Sequence, residues 1–395
     1  MTTTAQVGNS PAPPATAGTL PPPPTRGHLD QVDLFRVLTF AAVVAVHATA
    51  FTNPSDSQAA NALGFLLHFT REAFFVLTGF VLVYAQKDRS LQPAQFWRRR
   101  FRLIGIPYLT WSVLYWGYGL LMAPRPAGRA ASDLFWAVVG GHAEYHLYFL
   151  MVSMQVYLVF PVLLWALRRT RHRPWLVLGS VTALQLVLVG WLHASAGGAV
   201  PTGWYARYAY VLLPSYLLWV VAGGLLALHL PVAQGFAHRH PRLLVGLGAA
   251  AVAASLGWYV RDLLLGQSSV DTAASAVLQP IMVLESAGVV ILLAVVGMRW
   301  AQARERHPRL RRALLWCSSA SFGVYLIHPL ILDVLLRNGL HGPDPTLVPQ
   351  PWASAVAWLL TLAGSVAVVA VIRRTPVSLP LTGRSRPARK PAARD

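Results

Sequence analysis

Residues 30–48, DQVDLFRVLTFAAVVAVHA, open a long apolar segment that nevertheless contains Arg36 and His47. An ionisable side chain inside such a segment costs several kcal/mol unless something pairs with it. Eleven residues separate the two. Eleven helical steps return to within roughly 20° of the starting direction, so both side chains lie on one helix face, about 16 Å apart along the axis. Asp33, three residues before Arg36, is close enough for an i,i+3 ion pair that orients the guanidinium. One face thus carries a carboxylate, a guanidinium and an imidazole in ascending order.

The rest of the chain shares this character. Of its 395 residues 55% are hydrophobic and 12% charged, with a mean hydropathy of +0.48. A soluble domain carries about 25% charged residues, so the composition points to an all-α, polytopic membrane protein. The single cysteine, Cys317, excludes an internal disulfide and a thiolate metal cluster, and no metal site is expected. Residues 1–28 lack the apolar core of a signal peptide; with PAPPATAGTLPPPPT they read as a disordered, Pro-rich cytoplasmic tail of polyproline character.

Ten apolar stretches of spanning length follow, at about 31–51, 62–85, 103–122, 145–167, 174–193, 208–230, 243–264, 275–297, 313–335 and 351–372. They define a membrane domain over 29–372, with a basic, disordered or lipid-facing tail over 373–395. The connections alternate in charge. One set holds Arg26, six Lys or Arg in 87–102, four in 168–173, two in 239–242, six in 299–312 and seven after 372; the other holds only Arg125, Arg129, Arg207, Arg261 and Arg337. By the positive-inside rule both termini are cytoplasmic. The same asymmetry explains the net charge of +19 without nucleic acid, and leaves membrane lipid as the partner of most basic runs.

Several polar groups exceed what topology needs. Arg71 and Glu72 adjoin His68 in the second span; adjacent helical residues diverge, so they are not expected to pair with each other, and one of them is expected to answer a partner on span one or nine. The run FWRRRFRLIGIPY, 96–108, sets four arginines at the cytoplasmic mouth of span three, and guanidinium suits bidentate contact with phosphate, so an anionic cofactor from the cytoplasm is one reading beside simple topology. Glu144, Tyr145 and His146 open span four, where aromatic residues also serve as interfacial anchors. Pro329 follows His328 in span nine and can kink the helix at a depth like that of His47. Glu285 in span eight, placed in the cytoplasmic half, lacks an obvious partner.

Taken in order, these elements resemble membrane-bound acyltransferase family 3. Asp33, Arg36 and His47 match its D-x-x-R-x10-H signature; FFVLTGF (74–80) is similar to its FFxLSGF, with Thr78 where Ser is usual; Arg99 and Arg102 read as its R-x-x-R, with Arg100 as the alternative member; EYHLYFL (144–150) and SFGVYLIHP (321–329) resemble its H-L-W/Y-F-L and S-x-x-x-Y-L-x-H elements. The resemblance spans about 29–372. It implies transfer of an acyl group, commonly acetyl, from cytoplasmic acyl-CoA to a hydroxyl of a carbohydrate, cell-envelope glycan or glycosylated small molecule, with no permanently bound cofactor. His47 would be the catalytic base or nucleophile. Arg36, held by Asp33, would contact the donor or developing charge. Arg99, Arg102 or Arg100 would hold the phosphates of coenzyme A, and Glu72, Arg71, His146 and His328 would support the acceptor. A different class, a secondary transporter or flippase of a glycolipid, also suits buried Arg, Glu and His, but the Arg and His pattern is not repeated in the second half as transporter repeats would have it. No soluble hydrolase-like domain is expected after the last span, so the protein works alone or with a partner. Composition rich in Ala, Arg and Pro suggests a GC-rich bacterial source and hence the bacterial cell membrane.

Overall fold

The computed structural model describes residues 28–124, 126–196, 203–265, 277–340 and 350–386. The expected tail over 1–28 lies almost wholly outside them, as do residues 387–395. The described residues contain helices and no strand. In chain order the α-helices are α1 (Asp30–Thr52), α2 (Gln58–Leu67), α3 (Phe69–Gln86), α4 (Pro93–Met122), α5 (Ala127–Gly140), α6 (Tyr148–Arg169), α7 (Pro174–Ala196), α8 (Trp204–Tyr208), α9 (Leu217–Leu228), α10 (Leu230–Arg239), α11 (Pro241–Leu264), α12 (Pro280–Ala303), α13 (Pro308–Leu335), α14 (Trp352–Ile372) and α15 (Ser378–Thr382).

Proline sets many of the starts. Pro93, Pro241, Pro280 and Pro308 sit in the first turn of their helices, where a missing N–H costs nothing and the ring pre-sets φ. The third span consequently begins ten residues earlier than expected, and Arg98, Arg99, Arg100 and Arg102 ride on α4 itself. The second span is broken at His68, whose amide bonds back to the Phe65 carbonyl before α3 begins.

Among the described residues eight helices are long and apolar enough to cross a membrane, or nine if the bent pair 204–211 and 213–228, at 57°, is one span. Ten were expected. The difference is α4, whose aromatic, Gly and Pro residues dilute its hydropathy although it has 30 residues. It still runs the depth of the bundle beside α13: Tyr115 donates to the Leu326 carbonyl at 2.8 Å and Tyr118 to Asp333 at 2.5 Å, in parallel order.

The core lies where helices carrying the motifs meet. α3 packs most extensively on α9, and there a Cβ on Gly79 would lie 2.0 Å from the Val220 carbonyl oxygen. α1 is surrounded by α12, α13 and α14. By contrast α7 and α11 show broad apolar faces outward, with Trp175 82% and Leu264 81% exposed, as lipid-facing helices do.

Residues 373–386, expected as part of a disordered tail, fold back instead. α15 buries Ser378 and Thr382, Trp111 Nε1 donates to the Leu381 carbonyl at 3.1 Å, and Gly383, at φ +65°, turns the chain past Phe322. The basic charge there masked a short segment whose apolar and hydroxyl residues can pack.

Candidate active site

α1 brings His47 to the end of the bundle opposite the arginine-rich end. The loop before α6 supplies Tyr145 and His146, and α13 supplies Tyr325 and His328. His47 lies 4.5 Å from Tyr145 and 5.4 Å from His328, ring centre to ring centre, and His146 lies 5.4 Å from His328 and 5.0 Å from Tyr325. His146 and His328 are buried, whereas His47 is half-buried and Tyr145 and Phe51 beside it reach the surface. Three of the expected residues, His47, His146 and His328, are therefore neighbours although they are far apart in sequence. Among the described residues no such group is arranged to hold a metal ion.

Pro329 explains the state of His328. The Tyr325 carbonyl, four residues earlier, would receive the N–H that proline lacks; His328 Nδ1 takes that place at 2.7 Å. A carbonyl only accepts, so Nδ1 carries the hydrogen and a neutral ring leaves Nε2 as the free acceptor. Among the described residues that Nε2 is buried without a hydrogen-bond partner, as are both nitrogens of His146.

The other half of the site lies one to two turns inside the arginine-rich end. Asp33 and Arg36 do not form the direct pair that their spacing suggests. Ser318 of α13 stands between them, donating to Asp33 Oδ1 at 2.5 Å and accepting from Arg36 at 3.2 Å, while His28 meets the other Asp33 oxygen at 2.5 Å. Tertiary packing thus overrides the local i,i+3 contact. Arg36 faces a cavity of about 200 Å³ whose wall includes Thr78, Arg100, Ser318, Tyr325 and Arg384. A larger cavity of about 690 Å³ adjoins it, shares Arg100, Tyr157 and Arg384, and adds Arg99 and Arg373. Arg102 is exposed and is not part of either wall, so Arg100 is the better second member of the arginine pair. Its guanidinium lies over Phe96 and Tyr157, at 5.7 and 5.6 Å. Sequence reading missed Ser318, Tyr157, Arg373 and Arg384; only the run of Ser residues at 318, 319 and 321 hinted at a polar lining on α13.

Arg71 and Glu72 also correct the expectation. They pair with each other at 3.1 Å, because the break at His68 places them in the first turn of α3, where long side chains can curl together. Arg71 further donates to the Val277 carbonyl at 3.3 Å and lies over the Tyr210 and Tyr216 rings, so its partners lie outside the first and ninth expected spans. Glu285 stands in the second turn of α12, the half away from the arginine-rich end rather than the cytoplasmic half, and accepts from Ser286 at 2.9 Å.

Tyr325 joins the two halves. It lines the cavity that Arg36 faces and touches the rings of His146 and His328. A multi-pass membrane protein with a cationic cavity at one end and an imidazole cluster at the other is built for polar chemistry at membrane depth. A family model described as an acyltransferase domain matches residues 29–374, and the chain belongs to acyltransferase family 3; it is an acyltransferase of groups other than aminoacyl groups. No curated protein and no solved structure matches it significantly.

Proposed function

We propose that the protein moves an acyl group, acetyl in the first instance, from acyl-CoA to a hydroxyl of a carbohydrate, a cell-envelope glycan or a glycosylated small molecule. The position of Tyr325 carries this reading: an arginine-lined cavity suited to phosphates ends where the histidine cluster begins. The charge asymmetry supports a cavity mouth on the cytoplasmic side, where acyl-CoA is found, and we take the membrane to be the bacterial cell membrane. Arg99 and Arg100 hold the donor's phosphates. Arg36, set by Ser318 and Asp33, neutralises charge on the thioester end. His47, the accessible imidazole, removes the acceptor's hydroxyl proton; the oxygen attacks the thioester carbon, the C–O bond forms, the C–S bond breaks and the thiolate leaves to be protonated. Alternatively His47 takes the acyl group itself before passing it on. His328, His146, Arg71 and Glu72 shape the acceptor side.

The test is release of free coenzyme A from acetyl-CoA by the purified protein in nanodiscs, with and without a cell-envelope glycan extract. Glycan-dependent release lost in His47→Ala, with folding unchanged, is expected. Normal transfer by that variant would remove His47 from the mechanism, and an acyl adduct on His47 trapped in the native protein by rapid denaturation at neutral pH would select the covalent route.

A further inference from the structure

The family match ends at residue 374, yet the wall of the cationic cavity does not. Residues 375–386 return across the mouth after α14. Ser378 Oγ donates to the Arg384 carbonyl at 2.7 Å, the Trp111 indole holds Leu381, and Gly383 turns in the left-handed region against Phe322 and the Leu103 carbonyl. These contacts fix the backbone at Arg384. Its side chain lines both cavities, and among the described residues its guanidinium makes no hydrogen bond. Arg36, Arg99, Arg100 and Arg373 line the same space, and among the described lining residues there is no carboxylate. Arg36 and Arg373 are already positioned by Ser318 and Ser319 hydroxyls. Burial and the nearby Arg373 charge lower the Arg384 pKa from its ordinary value, against the opposite pull of Asp33. Crowding of five cations with the single nearby carboxylate of Asp33, itself bound by Ser318 and His28, costs free energy that an anion of several charges offsets.

We infer that residues 375–386 form a donor-binding strap, and that Arg384 is a binding residue for the phosphate groups of a nucleotide-type diphosphate donor. This rests on the acyl-CoA reading above, and it places part of the donor site outside the acyltransferase domain that the family defines. An arginine whose backbone is already fixed avoids the cost of ordering that backbone when it meets a phosphate, and its planar fork adds bidentate geometry. The strap closes one side of the cavity, so donor phosphates bind between α4 and the strap with the thioester directed along α1 towards Tyr325.

The experiment is coenzyme A binding to the full chain in nanodiscs of zwitterionic lipid, with donor KM and kcat measured alongside. Arg384→Gln should weaken coenzyme A binding and raise donor KM by roughly ten- to hundredfold, with kcat at saturating donor little changed. Arg384→Lys should recover part of the affinity, a response that a purely structural role would not give. Arg386→Gln, two residues on and outside both cavity walls, should match the native protein. Native-like affinity in Arg384→Gln overturns the strap while leaving the donor reading intact. No binding of coenzyme A by the native protein overturns both. A difference between native and Arg384→Gln that arises only when phosphatidylglycerol is added assigns Arg384 to a lipid headgroup, and overturns the strap as well.

Discussion

Pro329 acts on chemistry through the bond that it cannot make. Replacing it with alanine returns an N–H to the Tyr325 carbonyl, where it competes with His328 Nδ1. The ring is then free to turn or to change tautomer. We expect Pro329→Ala to lower acyl transfer by about tenfold, part of the roughly 10²–10⁴-fold that a positioned acid or base supplies, while thermal stability holds or rises. Equal turnover in the two proteins would show that the tautomer is immaterial. Ser318 is the other decisive single residue. Ser318→Ala leaves Asp33 Oδ1 and Arg36 without their shared hydroxyl, so a loss of about 1–3 kcal/mol in stability is expected together with a several-fold rise in donor KM. A calorimetric scan and a donor titration measure the two effects separately.

Close approach decides the geometry between helices. α3 carries Thr78 into the cavity and, one residue later, Gly79 onto α9. The second-span motif thus couples a cavity-lining hydroxyl to a contact only glycine permits, because successive residues lie about 100° apart. Gly79→Ala must move α3 from α9, since the obstacle is backbone carbonyl rather than a flexible side chain. We expect a stability loss of at least about 2 kcal/mol and a comparable defect in activity. Gly105→Ala on α4 meets nothing within 4 Å and should be neutral or stabilising by up to about 1 kcal/mol. Thermal unfolding of the two variants in one detergent makes the comparison; similar gains would mean that helix propensity rather than packing governs both.

For the whole molecule the prediction concerns sidedness. Positive connections gather at the end where α1 and α13 begin and where the strap lies, and the histidine cluster lies at the other end. In a background in which Cys317 is replaced by serine, a cysteine at Leu265 should react with a membrane-impermeant maleimide in intact cells. One at Arg386 should react only after permeabilisation. The reverse pattern would turn the donor cavity outward and remove acyl-CoA as its ligand. The basic ends of α1, α12 and α13 are also tied together, since Asp30 receives Arg311 at 2.6 Å and lies 3.2 Å from Arg304. This cluster holds the three helices in register at the cavity end.

The sequence by itself determined the helical class, the approximate spans, the arginine-rich entrance and the histidines of α1 and α13, because hydropathy, charge asymmetry and 3.6-residue periodicity are local properties. Tertiary structure alone decided how those side chains meet. A serine 285 residues away replaced the Asp33–Arg36 pair, and adjacent Arg71 and Glu72 joined once a helix break placed them in one turn. Arg100 rather than Arg102 faced the cavity because the packing of α4 on α6 and α15 set the rotation of its face. The strap was hidden for a related reason: its arginines look like any basic tail until Gly383 turns the chain and sets Arg384, though still exposed, on the cavity wall. Spacing sets direction on one helix, whereas partners across helices depend on rotation, depth and close packing, which no local pattern encodes.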